Sequence, residues 1–362
     1  MGRARRPICW LVLLVLLAGG ACRSGRPTAM PTSPPSTPSP YLTVPSPLPS
    51  PSPSSSPPPL SPLPSPTSSV LSSSFTFAVA ADMRNYAGPG PFDSPRYFRG
   101  VCETIAEQGD VAFMVSPGDL DPPQDAWWTI QQTLGPDFRW YPVVGNHDTE
   151  SGDDLAWLRT YDYGPVNPGP SGCPTTTYSF DYRNAHFVVL NVYCDADGDA
   201  VTDGDVPDHL YEWLAADLEA TDQTHVFVFG HEPAYPQPDA DSGRTRHVGD
   251  SLDAHPEHRD RFWNLLADRG VVAYICGHTH NYSAIRIDGV WQLDAGHARG
   301  MGDSGARSTF LLIRVEGDAV VLETYRDDGA GGPYTLVERV PLAGGAALHL
   351  PLVTRLALVS DG

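Results

Sequence analysis

Four times along this sequence a glycine is followed by a side chain that binds metals: Gly118-Asp119, Gly145-Asn146, Gly230-His231 and Gly277-His278-Thr279-His280. Asp82, which closes the apolar run 75–81, is a further ligand at a strand end. Carboxylate and amide oxygens mixed with imidazoles form a borderline-to-hard donor set, suited to Mn, Fe or Zn and poor for metals that seek thiolates. Asp82, Asp119, Asn146, His231, His278 and His280 are too many for one zinc ion. They suit a pair of ions about 4 Å apart that share one carboxylate and act together on a phosphoryl group, with Asp119 as the natural bridge. Taken singly, an Asp or Asn is a helix cap and a His is a core hydrogen-bonding group. Those separate explanations do not account for glycine plus ligand recurring at successive strand ends.

The elements that must position these residues alternate. Runs 75–81, 111–115 and 140–144 read as buried strands that enter the first three ligand loops. Helices are expected from a Ser94-Pro95 cap to about Gln108, over 125–134 and over 153–161. Strands 225–229 and 271–276 lead to His231 and His278, with helices over 208–220 and 256–269. Leu210, Trp213, Leu214 and Leu218 form the core stripe of the first of these helices. Ligands at the C-terminal ends of alternating strands lie on one side of the sheet. Further strands are expected over 290–294, 308–315, 319–325 and 335–340. Runs 175–182 and 186–192, joined at Arg183-Asn184, form a hairpin whose register sets Cys173 opposite Cys194 and predicts a disulfide. Cys102 and Cys276 are expected as buried thiols, and Trp127, Trp128 and Trp263 as packing residues.

The chain has 362 residues, a net charge of −20 and no lysine. Residues 1–74 hold five arginines and no acid, which leaves 18 arginines against 43 acids, a balance of −25. Such acidity argues against a nucleic-acid surface and favours small organophosphates over polyanions. Any anion clamp must be made of guanidinium groups. Arg3, Arg5 and Arg6, the apolar run 8–18 and Cys22 give residues 1–22 the pattern of a secretory signal peptide. Its end, Ala18-Gly19-Gly20-Ala21-Cys22, resembles a bacterial lipobox. Lipidation of Cys22 as a membrane tether, simple secretion and an uncleaved anchor are its three readings, and the chain is expected outside the cytoplasm, secreted or lipid-anchored. Residues 23–74 hold 17 of the 38 prolines and read as a disordered polyproline-like linker. The folded domain is expected over 75–345, with 346–362 as a C-terminal extension.

In this order and spacing, Gly118-Asp119-Leu120-Asp121, Gly145-Asn146-His147-Asp148, Gly230-His231 and Gly277-His278-Thr279-His280 resemble the motifs of the calcineurin-like metallophosphoesterase superfamily, which includes the purple acid phosphatases. The likeness covers roughly residues 75–325. It implies an α/β fold, a four-layer αββα sandwich with two central mixed β-sheets, and two divalent or trivalent metal ions, Fe, Mn or Zn. It also implies that Asp119, Asn146, His231 and His278 hold one ion and that Asp82, Asp119 and His280 hold the other. His147, oriented by Asp148, would contact phosphate and protonate the leaving oxygen. The implied activity is that of an exported phosphoesterase acting on phosphate monoesters or diesters, in which a metal-bound hydroxide attacks while the ions and Arg84 stabilise the developing charge. The alternative is a surface-anchored binding module with a decayed first metal site.

One departure motivates that alternative. The family's first motif is Asp-x-His, and here it reads Asp82-Met83-Arg84. The purple acid phosphatases also lack that histidine but supply a tyrosine at the position held here by Pro122. Tyr86, Asn85, Asp121 or water are the candidates to complete the first site. Arg84 either contacts substrate phosphate or pairs with a nearby acid. His297, Arg299, Arg244, Arg246 and His247 are either cleft residues or solvated loop.

Overall fold

The computed structural model describes residues 74–194 and 204–344. The expected signal peptide with Cys22, the linker apart from Ser74, and the 346–362 extension lie outside the described residues.

The first strand shows why the chain layers as it does. In β1 (Phe75–Val79), Phe75, Phe77 and Val79 join one apolar cluster, while Ala78, and Ala80 just beyond, join another. Both faces are therefore buried, the large residues on one and the small ones on the other. β1 lies inside a six-stranded sheet with β2 (Val111–Pro117), β3 (Arg139–Val143), β11 (Thr309–Glu316), β12 (Ala319–Arg326) and β13 (Thr335–Ala343), in the order β13-β12-β11-β1-β2-β3. The second sheet has seven strands in the order β4-β5-β6-β7-β8-β10-β9. Its members are β4 (Asn167–Pro168), β5 (Tyr178–Tyr182), β6 (Ala185–Val189), β7 (His225–Phe229), β8 (Ala273–Cys276), β9 (Tyr282–Ile287) and β10 (Val290–Ala295). Both sheets are mixed: β1, β2 and β3 are parallel, as are β6, β7, β8 and β10, and the remaining pairs are antiparallel.

The large side chains of both sheets meet in one aromatic layer. Phe77 packs edge-on to Phe187 and to Phe227 at 5.2 Å each. The other cluster takes Met114, Val188 and Val228 together with the apolar stripes of α1 (Phe98–Glu107), α2 (Pro123–Leu134), α5 (Asp208–Ala220) and α6 (Pro256–Asp268). Two sheets with a shared aromatic core and helix-covered outer faces are the expected sandwich.

Most expected elements are present, and the differences have local causes. α1 begins at Phe98, because Ser94 is used in a turn: its carbonyl accepts from Tyr97 N–H and its hydroxyl from Arg96 N–H, so it caps nothing. Two short helices, α3 (Asn146–Glu150) and α4 (Gly152–Thr160), follow β3, and only the second was expected. β9 was also missed; it is an edge strand paired only with β10. Cys173 and Cys194 are bridged, and Cys102 and Cys276 are buried free thiols. Trp127 stacks on Trp140 at 5.9 Å and Trp263 is buried.

Because Phe77 is fully buried between the sheets, Phe77→Ala should destabilise the fold by about 3–5 kcal/mol. Denaturant unfolding should show a lower midpoint at unchanged slope.

Candidate metal centre

Parallel strands deliver the ligands to one edge, and hydrogen bonds then lock the loops together. Asp82 N–H donates to Gly118 O, Arg84 N–H to Asp119 O and Asn85 N–H to Asp121 O, each at 3.0 Å. Asp148, in α3, reaches into the neighbouring seam, where its carboxylate accepts from Gly145 N (2.7 Å), Asp119 N (3.1 Å) and Leu120 N (2.9 Å). Burial, and then the Asp119 charge, raises the Asp148 pKa.

The glycines before the ligands are required for space. A Cβ on Gly145 would sit 2.2 Å from the Asp119 nitrogen, and one on Gly118, at φ +83°, would sit 2.3 Å from His231 Nδ1. Asp82, Asp119, His278 and His280 all have left-handed backbones, with φ of 54°, 55°, 72° and 58°. Such residues cost about 1–3 kcal/mol each, and their clustering points to a functional site.

Three histidines have their outer nitrogens fixed. His231 Nδ1 donates to Pro117 O at 2.7 Å, His278 Nε2 to Asp250 O at 3.2 Å, and His280 Nδ1 to the Asp303 carboxylate at 2.8 Å. Each of these oxygens accepts a hydrogen bond and can donate none, so the proton stays on that ring nitrogen and the other nitrogen keeps its lone pair. Those lone pairs face one another and the carboxylates. His231 Nε2 is 3.3 Å from His278 Nδ1, 3.3 Å from Asp119 Oδ1 and 3.1 Å from Asn146 Oδ1. His280 Nε2 is 3.5 Å from Asp82 Oδ1, a fully buried oxygen with no hydrogen-bond partner. Burial first, then the neighbouring His231, holds the His278 pKa well below the ordinary value, and burial takes that of His280 to about 2. The Asp82 carboxyl is raised by burial and then by Asp119. Facing lone pairs in a desolvated site repel one another, and a bound cation turns that repulsion into ligation. The residues present fit a metal centre, and Asp82, Asp119 and His231 offer ligand atoms within 4.8 Å of one another.

All six expected ligands are thus brought together. The expectation that Asp148 orients His147 is not met: both Asp148 oxygens are taken by backbone N–H groups, and His147 Nδ1 instead bonds Glu150 Oε1 at 2.7 Å. His147 Nε2 lies 3.8 Å from Asp119 Oδ2. Glu150 was missed because its spacing of three from His147 is a signal only on a helix, and α3 was not expected. Arg84 does pair with acids, donating to Asp121 at 2.9 Å and to Glu150 at 3.1 Å, yet it also lines the pocket. Of the candidates to complete the first site, Asp121 is engaged by Arg84, Tyr86 packs on Phe92 and Tyr97, and Asn85 is exposed.

The pocket over these residues measures about 240 Å³, and Arg246, His247 and Arg299 line it too. His297 is buried against Ala306 O, and Arg244 braces the loop through Asn281, Asp303 and His280 O. A larger cavity of about 760 Å³ runs along β5, β6 and the end of α5 but contains none of the ligands.

The profile of the family described as calcineurin-like phosphoesterase matches residues 75–282, more than half of the chain. No curated protein matches the sequence. Among solved structures, a purple acid phosphatase from yellow lupin (Lupinus luteus) seeds is similar, with a TM-score of 0.54 and 14% identity over 75% of this chain and 54% of that one. The chain thus spans about half the length of the lupin protein. PhoD is similar with a TM-score of 0.52 and 13% identity, over 73% of this chain and 68% of that one. At such identities the likeness is one of fold.

Asp303→Asn, which weakens the acceptor for His280 Nδ1–H, should lower metal affinity by about 10–100-fold. Calorimetric titration of the metal-free variant with Mn or Zn checks it, with circular dichroism expected to be unchanged.

Proposed function

The chain belongs to the calcineurin-like phosphoesterase family, and from that premise we propose that it is a metal-dependent phosphoesterase that hydrolyses phosphate monoesters or diesters. The observation that carries this reading is the set of three histidines whose outer nitrogens are tied to fixed acceptors and whose inner lone pairs face buried carboxylates. We assign Asp119, Asn146, His231 and His278 to one ion, and Asp82, Asp119 and His280 to a second, with Fe, Mn or Zn favoured by the donors. When bound, the ions lower the cost of deprotonating an attacking water and of building charge on the phosphoryl oxygens.

The chain's own side chains supply the remaining steps. Glu150 accepts the His147 Nδ1 proton as a hydrogen bond and so fixes the ring. Nε2 is then free to carry a proton to the leaving oxygen. Arg84, anchored by Asp121 and Glu150, offers its remaining N–H groups to a phosphoryl oxygen. Asp148 acts on chemistry only through the backbone it holds. We also propose that the chain is exported and tethered through a lipidated Cys22, with residues 23–74 as spacer. The support for this is the leader pattern alone.

The second reading, a surface binding module with a decayed first site, is favoured by the engagement of Asp121 with Arg84. Protein reloaded with Mn, Fe or Zn is expected to turn over p-nitrophenyl phosphate or its bis diester; metal binding without turnover of either would leave the binding module standing. His147→Gln should lower kcat by about 10²–10⁴-fold at unchanged metal content.

A further inference from the structure

We propose that Arg246 and Arg299, together with Arg84, form a guanidinium clamp that selects the dianionic phosphate of a monoester over the monoanionic phosphate of a diester. This rests on the phosphoesterase reading and narrows its substrate class.

The argument begins with charge. In a chain of net charge −20, arginines are expected to lie against acids, and several do. Arg326 is held by Asp239 and Asp241, and Arg314 and Arg339 share Glu323. At the pocket Arg84 is paired with Asp121 and Glu150, but two further arginines are held differently. Arg299 is half-buried and makes no ion pair among the described residues. It is held by donating Nε–H to the Asp82 carbonyl at 2.7 Å and by the face of the Tyr86 ring at 5.9 Å. Arg246 reaches Asp303 only at 3.9 Å, and that carboxylate already accepts from Arg244 and His280. Arg246 thus shares Asp303 and also meets His247 Nε2 at 3.2 Å, while Arg299 is tied to a backbone carbonyl, so neither guanidinium is fully engaged by a carboxylate.

Their placement gives these guanidinium groups a common target. Arg84 follows β1, Arg246 lies in the loop after β7 and Arg299 follows β10, so the three approach from separate strand ends. The loop carrying Arg246 is held over the proposed metal ligands, because the His247 ring lies 4.1 Å from that of His278. A phosphate monoester carries close to two charges near neutral pH, with a second pKa near 6, and presents three free oxygens. A diester has one charge and loses one of those oxygens to its second ester bond. Forked guanidinium donors read that difference directly.

The test is calorimetric titration of the metal-reloaded protein at pH 7.5 with methyl phosphate, dimethyl phosphate and inorganic phosphate, with metal content measured for every variant. Methyl phosphate is expected to bind at least about tenfold more tightly than dimethyl phosphate. Arg246→Gln and Arg299→Gln should each weaken methyl phosphate about tenfold and dimethyl phosphate far less. Arg246 sits on a partly exposed loop, so its variant decides the matter if Arg299→Gln loses metal. Equal affinity for the two esters, or selectivity that survives Arg246→Gln, would overturn the clamp. Turnover that favours diesters would also overturn it while leaving the phosphoesterase reading intact. Absence of any turnover would count against that reading, with the binding selectivity still measurable.

Discussion

The Asp148 carboxylate accepts three backbone N–H groups from two loops, Gly145 on one side and Asp119 and Leu120 on the other. Burying a carboxyl group is costly unless its oxygens are satisfied, and backbone donors satisfy these. The converse also holds: without this acceptor three buried N–H groups would be orphaned, and the left-handed turn at Asp119 would lose what holds it. The close approach of Gly145 to the Asp119 nitrogen is part of the same seam. The position of the proposed bridging carboxylate is therefore set by a side chain that never touches the pocket.

The seam lies in one sheet, and the histidines come mostly from the other. His231, which follows β7 of the second sheet, donates to Pro117 O at the end of β2 in the first. The Asp82 carboxylate likewise accepts from the His278 backbone. Packed sheets sit about 10 Å apart, and aromatic side chains such as Phe77, Phe187 and Phe227 hold that spacing. Site geometry is thus coupled to core packing: a change in sheet separation would move His231 relative to Asp119 before it altered either loop. This places the strain of four left-handed residues beside the packed core between the sheets.

What could be read from the residues alone follows the reach of each interaction. Glycine beside a ligand at the end of an apolar run is a local pattern, so the six proposed ligands were legible, as were the Cys173–Cys194 pairing and the 208–220 helix. The outer partners were not. Asp303 lies 23 residues beyond His280, and Asp250 offers only a carbonyl, which any residue has. The start of α1 was misread because Ser94 and Pro95 suit a turn as well as a cap. α3 escaped notice because its five residues are mostly polar and lack helical periodicity; it is supported by Asp148 bonding back to Gly145 N–H. The misassigned role of Asp148 has the same origin, since adjacency to His147 suggested a contact that helix geometry directs elsewhere.

Arg84 stands where the family motif has a metal-binding histidine, and on sequence that reads as a loss. Its contacts support a change of role. Arg84 donates to Asp121 in its neighbouring loop and to Glu150 in α3, and Glu150 is the same carboxylate that holds His147. A histidine aimed at a metal could not make that connection, because its one remaining N–H would be directed away from the ion. The guanidinium fork reaches two acids at once. The first loop is thereby linked through Glu150 to the proposed proton donor, while one ligand position is given up. Because a ligating histidine is neutral, the departure from the motif adds a positive charge at the pocket that Arg246 and Arg299 also line.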